Sequence, residues 1–265
     1  MKIGFIGCGN MGGALARAIC RVSEALVYIS DHNSQKAEAF AKETGATVSN
    51  NEAIAEKCDF VFLAVKPAQI STVLPPLRPF LSKNPHSVIV TMAAGVTLER
   101  VGGYVGKSHK IIRIMPNTPV SVGSGMITWC KNSLVSDADA ENFEKIMSYA
   151  GRLDAIDEPL IDAASALSGC GPAFVYMFAE ALADGAVQCG LPREKANLYA
   201  AETLKGAAEM LLKSGKHPGL LKDEVCSPGG STIEGVHALE EVAFRADTAN
   251  AIIKSYEKTK RLGKE

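Results

Sequence analysis

Ile3-Gly4-Phe5-Ile6-Gly7-Cys8-Gly9-Asn10-Met11-Gly12 is the stretch on which the fold turns. Residues 2–6 form a compact, mostly apolar run that suits a buried strand. From Met11 onward, Leu15, Ala18, Ile19 and Val22 recur at helical spacing. The G-x-G-x-x-G of Gly7, Gly9 and Gly12 therefore lies on a strand-to-helix turn. Such a turn lets backbone approach a pyrophosphate closely, and the helix start aims free N–H groups at the anion. A bare glycine pattern also fits a tight turn whose glycines only relieve crowding. The strand before it and the helix after it favour a dinucleotide site.

Working outward, residues 26–30 read as a strand, followed by a polar turn, Asp31-His32-Asn33, and a helix near 34–43. Residues 46–49 form a short strand. Residues 59–65 form a buried one that ends at Lys66-Pro67. Residues 87–92 and 110–114 add two more, and 126–130 and 153–156 read as edge strands. Continuous apolar strands alternating with helices indicate a parallel sheet covered on both faces. After about Pro159 no strand follows. Helices are expected near 160–168, 172–189, 193–213, 218–224, 232–243 and 245–261, with Gly190-Leu191-Pro192 as a stop and restart. The fold class is thus α/β. A doubly wound, mostly parallel, Rossmann-type sheet occupies residues 1–157. An all-helical domain for substrate binding and dimerisation occupies 158–265. Residues 200–212 are apolar around most of a helix circumference, which fits a well-packed monomeric bundle or, favoured in so small a domain, burial against a second copy.

Composition narrows the partners. The chain has 265 residues, 47% of them hydrophobic, and a net charge of −1. No cluster of Lys and Arg dominates a face, which argues against nucleic acid or an anionic membrane. No apolar run is expected to reach the roughly 18 residues that span a bilayer. A strand starting at Lys2 leaves no room for a signal peptide. Cys8, Cys20, Cys58, Cys130, Cys170, Cys189 and Cys226 are scattered without a C-x-x-C pair. They read as reduced thiols of a cytoplasmic protein. The five histidines lack metal-ligand spacing, so no metal site is expected.

Ligands gather beyond the carboxyl ends of parallel strands. Three loops fall there: the glycine loop, Ala64-Val65-Lys66-Pro67, and Met92-Ala93-Ala94-Gly95. Lys66 fits either a cofactor contact or a solvated strand terminator. The small residues Ala93 and Ala94 let a flat nicotinamide ring lie against backbone. At the end of the second strand Asp31 suits a ribose or points away, whereas His32, Asn33 and Lys36 suit a phosphate, so NADPH and NADH both stay open. In the helical part, Ser227-Pro228-Gly229-Gly230-Ser231-Thr232-Ile233-Glu234 opens a helix. Ser231 and Glu234 have capping-box spacing. The following helix is expected to bury Ile233, Val236, Leu239 and Ala243. Free N–H groups at Gly229, Gly230, Ser231 and Thr232 would hold a small carboxylate. The plainer reading is an ordinary cap with a flexible entry.

Five segments together resemble the pyrroline-5-carboxylate reductase family. They are the glycine loop, Ala64-Val65-Lys66-Pro67, Met115-Pro116-Asn117-Thr118-Pro119, Leu167-Ser168-Gly169-Cys170-Gly171-Pro172-Ala173 and Ser227-Pro228-Gly229-Gly230-Ser231-Thr232. They occur in the family's order and span nearly the whole chain. The resemblance implies reduction of a cyclic imine, 1-pyrroline-5-carboxylate, to L-proline with NAD(P)H, usually NADPH. It also implies a helical domain that interlocks two subunits, in some members assembled into rings of dimers. Carried over, Gly7, Cys8, Gly9, Asn10, Met11 and Gly12 would hold the pyrophosphate. Asn33 and Asn51 would lie near the adenosine ribose and its phosphate. Ala64, Val65, Lys66, Pro67, Ala93 and Ala94 would border the nicotinamide half. Gly229, Gly230, Ser231 and Thr232 would bind the imino acid's carboxylate, with the Thr232 hydroxyl reaching the ring nitrogen as the catalytic group. Cys170, Cys226 and Ser231 depart from the family's commoner residues, which leaves the role of Cys226 open.

Two rivals remain. A beta-hydroxyacid dehydrogenase shares the two-domain plan, but its oxidation needs a proton acceptor. The family's lysine on the helix after a glycine-rich turn has no counterpart in Pro172-Ala173-Phe174-Val175-Tyr176-Met177-Phe178, whose first charge is Glu180. A non-catalytic NAD(P)-binding regulator would need no carboxylate pocket at residues 229–232.

Overall fold

The computed structural model describes residues 1–262; the end of the expected helical domain, residues 263–265, lies outside them. Eight strands form one sheet: β1 (Lys2–Ile6), β2 (Leu26–Ser30), β3 (Thr47–Val48), β4 (Phe60–Leu63), β5 (Val88–Thr91), β6 (Lys110–Met115), β7 (Gly125–Lys131) and β8 (Gly151–Ala155). Their order is β3-β2-β1-β4-β5-β6-β7-β8, with β1 to β6 parallel. The order reverses between β1 and β4, the switch point of a doubly wound sheet.

Successive residues of β4 alternate between two cores. Phe60 and Phe62 enter one, Val61 and Leu63 the other. This two-sided burial explains the unbroken apolar run. The first core packs α1 (Asn10–Cys20), α2 (Ser34–Thr44) and α6 (Asp137–Ile146) on the sheet through Leu15, Ile19, Phe40 and Phe143, with Phe5 stacked on Phe62 at 4.6 Å. The second takes α3 (Asn51–Lys57), α4 (Ile70–Leu81) and α5 (Leu98–Val105) through Ile54, Leu74 and Val101.

One expected edge strand is corrected. β7 pairs on both sides, antiparallel to β6 and parallel to β8. Its Ile127 and Trp129 are buried, and Trp129 tilts against Phe143 at 5.2 Å. Of these two strands β8 alone is an edge, opposite the β3 edge, and its Arg152 and Asp154 are the charged residues that discourage further pairing.

After α7 (Ile161–Ser168), a separate compact unit runs from Gly171 to Lys254, while residues 255–262 cluster with the first unit. The second unit holds α8 (Gly171–Gln188), α9 (Arg193–Ser214), α10 (Pro218–Glu224), α11 (Ser231–Glu241) and the first part of α12 (Phe244–Leu262). Gly190 takes the left-handed conformation (φ +97°), and Pro192 caps α9. Ala183, Ala196 and Ala200 make a small core between α8 and α9.

Much apolar surface of this unit is uncovered in the single chain. Leu198, Tyr199, Met210 and Leu212 on α9 are all more than half exposed. The expected burial of Ile233, Val236, Leu239 and Ala243 is likewise corrected for the single chain, because α11 has no buried residue and Ala243 beyond it is exposed. The expectation that no apolar run reaches bilayer length also needs correction. By length and composition alone, Glu158–Gln188 is long and apolar enough to cross a membrane. This helical stretch is interrupted between α7 and α8, and it is mostly exposed in the single chain.

Ala243, between α11 and α12, has φ +58°, the only positive φ outside glycine among the described residues. A Cβ in that region costs about 1 kcal/mol. Ala243→Gly is expected to stabilise the protein by about 0.5–1 kcal/mol. Urea denaturation checks it, and a loss of stability would reject the strain.

Candidate active site

The glycine loop follows β1, and its three glycines do different work. Gly7 has φ +101°, and a Cβ there would lie 2.5 Å from the Ala64 carbonyl oxygen. A Cβ on Gly12 would lie 2.5 Å from the Ala64 Cβ and 2.6 Å from the Gly7 oxygen. These two let the loop turn and let α1 press against the end of β4. Gly9 has no atom within 4 Å of such a Cβ. Nothing in the fold requires glycine there, whereas a phosphate approaching the backbone does. Gly9 also caps α1 without a side-chain bond, so the first-turn N–H groups stay free for an anion. The loop therefore fits a dinucleotide.

A cleft of about 350 Å³ opens beside it. Gly7, Gly9, Asn51, Ala64, Val65 and Lys66 are brought together in its walls, with Asp31, His32 and Lys36 also lining it. Asn51 is the first residue of α3. The Lys66 N–H donates to Gln69 Oε1 at 3.1 Å, which fixes the turn leaving β4. Pro67 opens a short 3-10 turn beyond it. Other expected residues serve the frame around the cleft. Asn33 caps α2, its Oδ1 accepting from the Lys36 N–H at 3.1 Å. Ala93 is buried, and Ala94 packs against the small cluster of Met115, Cys130 and Ile161. Asn10, Met11 and Gly12 form the first turn of α1.

Cys8 is buried, and its N–H and thiol both donate to Asp31 Oδ2, at 2.8 and 3.3 Å. Burial first, and then Asp31, push the Cys8 thiol up to about 11. Burial opposes charge on Asp31, but the N–H groups of Cys8 and Asn33, the Cys8 thiol and His32 outweigh it and hold the carboxyl below its ordinary value. Sequence reasoning weighed Asp31 as a ribose acceptor or as pointing away, and missed this bond to the loop.

The second candidate element precedes α11. Gly229 has φ +65°, and a Cβ on Gly230 would lie 2.3 Å from Ser227 Oγ. The expected capping box does not form. Gly230 is the cap and has no side-chain bond, so Ser231 is already inside the helix. The Gly230 N–H is also taken, donating to the Ser227 carbonyl at 3.0 Å. The N–H groups of Ser231 and Thr232 remain at the open helix end.

Two residues that sequence reasoning left without a role join the motif segments. Asn117 Nδ2 donates to the Ser168 carbonyl at 2.9 Å, while its Oδ1 accepts from the Met126 N–H at 2.9 Å. Arg113, almost fully buried in β6, donates to Glu158 at 3.3 Å and to Asp162 at 2.6 Å. Glu158 also accepts from the Leu98 N–H at the start of α5. A charged residue inside an apolar strand is the only signal that marked Arg113. A second concavity, about 520 Å³ beside Trp129, Lys131 and Leu160, holds none of the expected residues.

Comparison with known proteins identifies the family. Residues 158–262 match the family described as pyrroline-5-carboxylate reductase dimerisation. Residues 2–95 match the family described as NADP oxidoreductase coenzyme F420-dependent. The chain is 41% identical to the pyrroline-5-carboxylate reductase of Escherichia coli (strain K12), covering 99% of this chain and 98% of the relative. It is 37% identical to that of Pisum sativum, covering 98% and 95%. Among solved structures, the Plasmodium falciparum pyrroline carboxylate reductase with NADP bound superposes with a TM-score of 0.88 at 35% identity, covering 99% of this chain and 98% of that one. The Streptococcus pyogenes 1-pyrroline-5-carboxylate reductase gives 0.90 at 32%, with 98% of each chain covered.

Proposed function

The chain belongs to the pyrroline-5-carboxylate reductase family: it reduces 1-pyrroline-5-carboxylate to L-proline with NAD(P)H, the last step of proline biosynthesis, and we propose the following roles for its residues. Gly7, Gly9 and Gly12, with the first turn of α1, hold the pyrophosphate. Asn51 and Asn33 lie at the adenosine end of the cleft. Val65, Lys66 and Pro67, with Ala93 and Ala94, border the nicotinamide half. The open space at Gly9 is the observation that carries this assignment. The bound nicotinamide supplies the hydride.

The imine nitrogen is protonated in the reactive substrate, so its ring carbon is already electrophilic. Hydride addition neutralises the charge and gives the amine without a general base. A site poor in acids and bases suits that chemistry. What the protein must do is orient the ring. The start of α11 takes the carboxylate on the N–H groups of Ser231 and Thr232, and the Thr232 hydroxyl bonds the nitrogen. Thr232→Ala should lower turnover about ten- to a hundredfold, because a hydrogen bond that strengthens in the transition state is worth about 1–3 kcal/mol. Stopped assays with pyrroline-5-carboxylate measure it, and an unchanged kcat would refute the role.

The chain carries the family's dimerisation region. We assign the exposed apolar residues of α8, α9 and α11 to a homodimer interface, which accounts for their exposure in one copy. The same interface explains the apolar surface of Glu158–Gln188 without a membrane. A ring of dimers and a site shared between subunits extend that reading. Seven free cysteines are in keeping with a cytoplasmic location. Absorbance assays of NADPH and NADH oxidation over a panel of cyclic imino acids test the function. Silence with pyrroline-5-carboxylate alongside activity on another imine would overturn the substrate. Calorimetry with L-proline and oxidised cofactor addresses the regulator alternative, which predicts no ternary binding.

A further inference from the structure

Asp31 follows β2 directly, the place from which a carboxylate reads ribose hydroxyls in many dinucleotide sites. Its surroundings here are different. An ionised carboxylate offers about four lone-pair positions. Oδ2 takes the Cys8 N–H at 2.8 Å and the Cys8 thiol at 3.3 Å. Oδ1 takes the Asn33 N–H at 3.0 Å and faces His32 Nδ1 at 3.0 Å. The side chain is only 5% exposed. Three acceptor positions take hydrogen bonds and the fourth faces His32 Nδ1, so a ribose hydroxyl would have to displace one of these neighbours.

We propose that Asp31 is a positioning residue: it latches the glycine loop to the end of β2 and takes no part in choosing between NADH and NADPH. The choice then falls to Lys36, the cation that lines the same end of the cleft and has no ion-pair partner among the described residues. A 2′-phosphate meets that ammonium, while the charge of Asp31 is already offset by its donors. The proposal rests on the cofactor cleft assigned above.

The test uses the full-length protein. NADPH and NADH are titrated by nicotinamide fluorescence, and KM and kcat are measured for each, with thermal melts to check folding. Asp31→Asn should weaken both cofactors by the same factor, roughly tenfold, with their affinity ratio unchanged within about twofold. Cys8→Ser, which keeps a donor toward Asp31, should show the same ratio with a smaller loss. Lys36→Gln should weaken NADPH roughly tenfold and NADH less than about twofold. Selective loss of NADH, or a gain for NADPH, in Asp31→Asn would overturn the latch by showing that Asp31 reads the ribose. Equal loss of both cofactors in Lys36→Gln would overturn the assignment of the choice to Lys36. A wild-type chain that binds neither cofactor would instead reject the cleft itself.

Discussion

Gly9→Ala is expected to weaken NADPH binding about a hundredfold while leaving the melting temperature within about 1–2 °C of wild type. The stability half follows from geometry. Gly9 has φ −62° and ψ −171°, which alanine adopts freely, and a methyl there meets no protein atom within 4 Å. The binding half follows from the same emptiness. The methyl would stand between the helix-start N–H groups and the pyrophosphate. Losing one or two charge-assisted hydrogen bonds, at about 1.5–3 kcal/mol each, gives that factor. Gly12→Ala is the counterpart. Its methyl would strike the Gly7 carbonyl and Ala64 Cβ at about 2.5 Å, so backbone must move. Overpacking of this kind costs about 1–3 kcal/mol, a melting shift of several degrees for a chain of this size. Thermal melts paired with fluorescence titration separate the two. A Gly9→Ala protein that binds NADPH normally would remove the pyrophosphate from this loop.

That pair also shows how far the sequence could be read. G-x-G-x-x-G between a strand and a helix was legible, because Gly7 and Gly12 answer a local steric requirement and Gly9 leaves the backbone open. So were the helices after residue 159, with the stop and restart at Gly190-Leu191-Pro192 written in the chain. The helix Ile70–Leu81 was not legible. It contains Pro75, Pro76 and Pro79, residues that normally end a helix. It persists because Ile70, Leu74, Leu77 and Leu81 lie on one face and are all at most 2% exposed, so tertiary burial outweighs local propensity. The start of α11 failed in the opposite way. Ser231 and Glu234 had the right spacing, but the left-handed Gly229 and the crowded Gly230 shift the cap by one residue. The role of Asp31 depended on a contact with Cys8, 23 positions away, which spacing alone does not encode.

Arg113→Met is expected to destabilise the protein by about 3 kcal/mol, a larger loss of stability than the Gly9 substitution brings. Arg113 is 2% exposed, and its guanidinium is the partner of both Glu158 and Asp162. Removing one member of a buried ion-pair network leaves the others desolvated without a countercharge, which costs about 3–5 kcal/mol. Glu158 and Asp162 are about a quarter exposed, so water recovers part of that, and the lower end applies. The damage is directional. The network ties β6 to the start of α5 through Leu98 and to α7 through Asp162. The far end of α7 is held to the β6–β7 loop by Asn117. Loss of Arg113 therefore loosens the loop that carries Ala93 and Ala94, and cofactor affinity should fall along with stability. Neutralising all three groups, as Arg113→Met with Glu158→Gln and Asp162→Asn, should recover more than half of the lost stability, because the penalty lies in the unpaired charges rather than in the missing bonds. Urea denaturation of the single and triple variants decides this. If the triple variant is no more stable than Arg113→Met alone, the network acts through packing of the arginine stem and not through its charge.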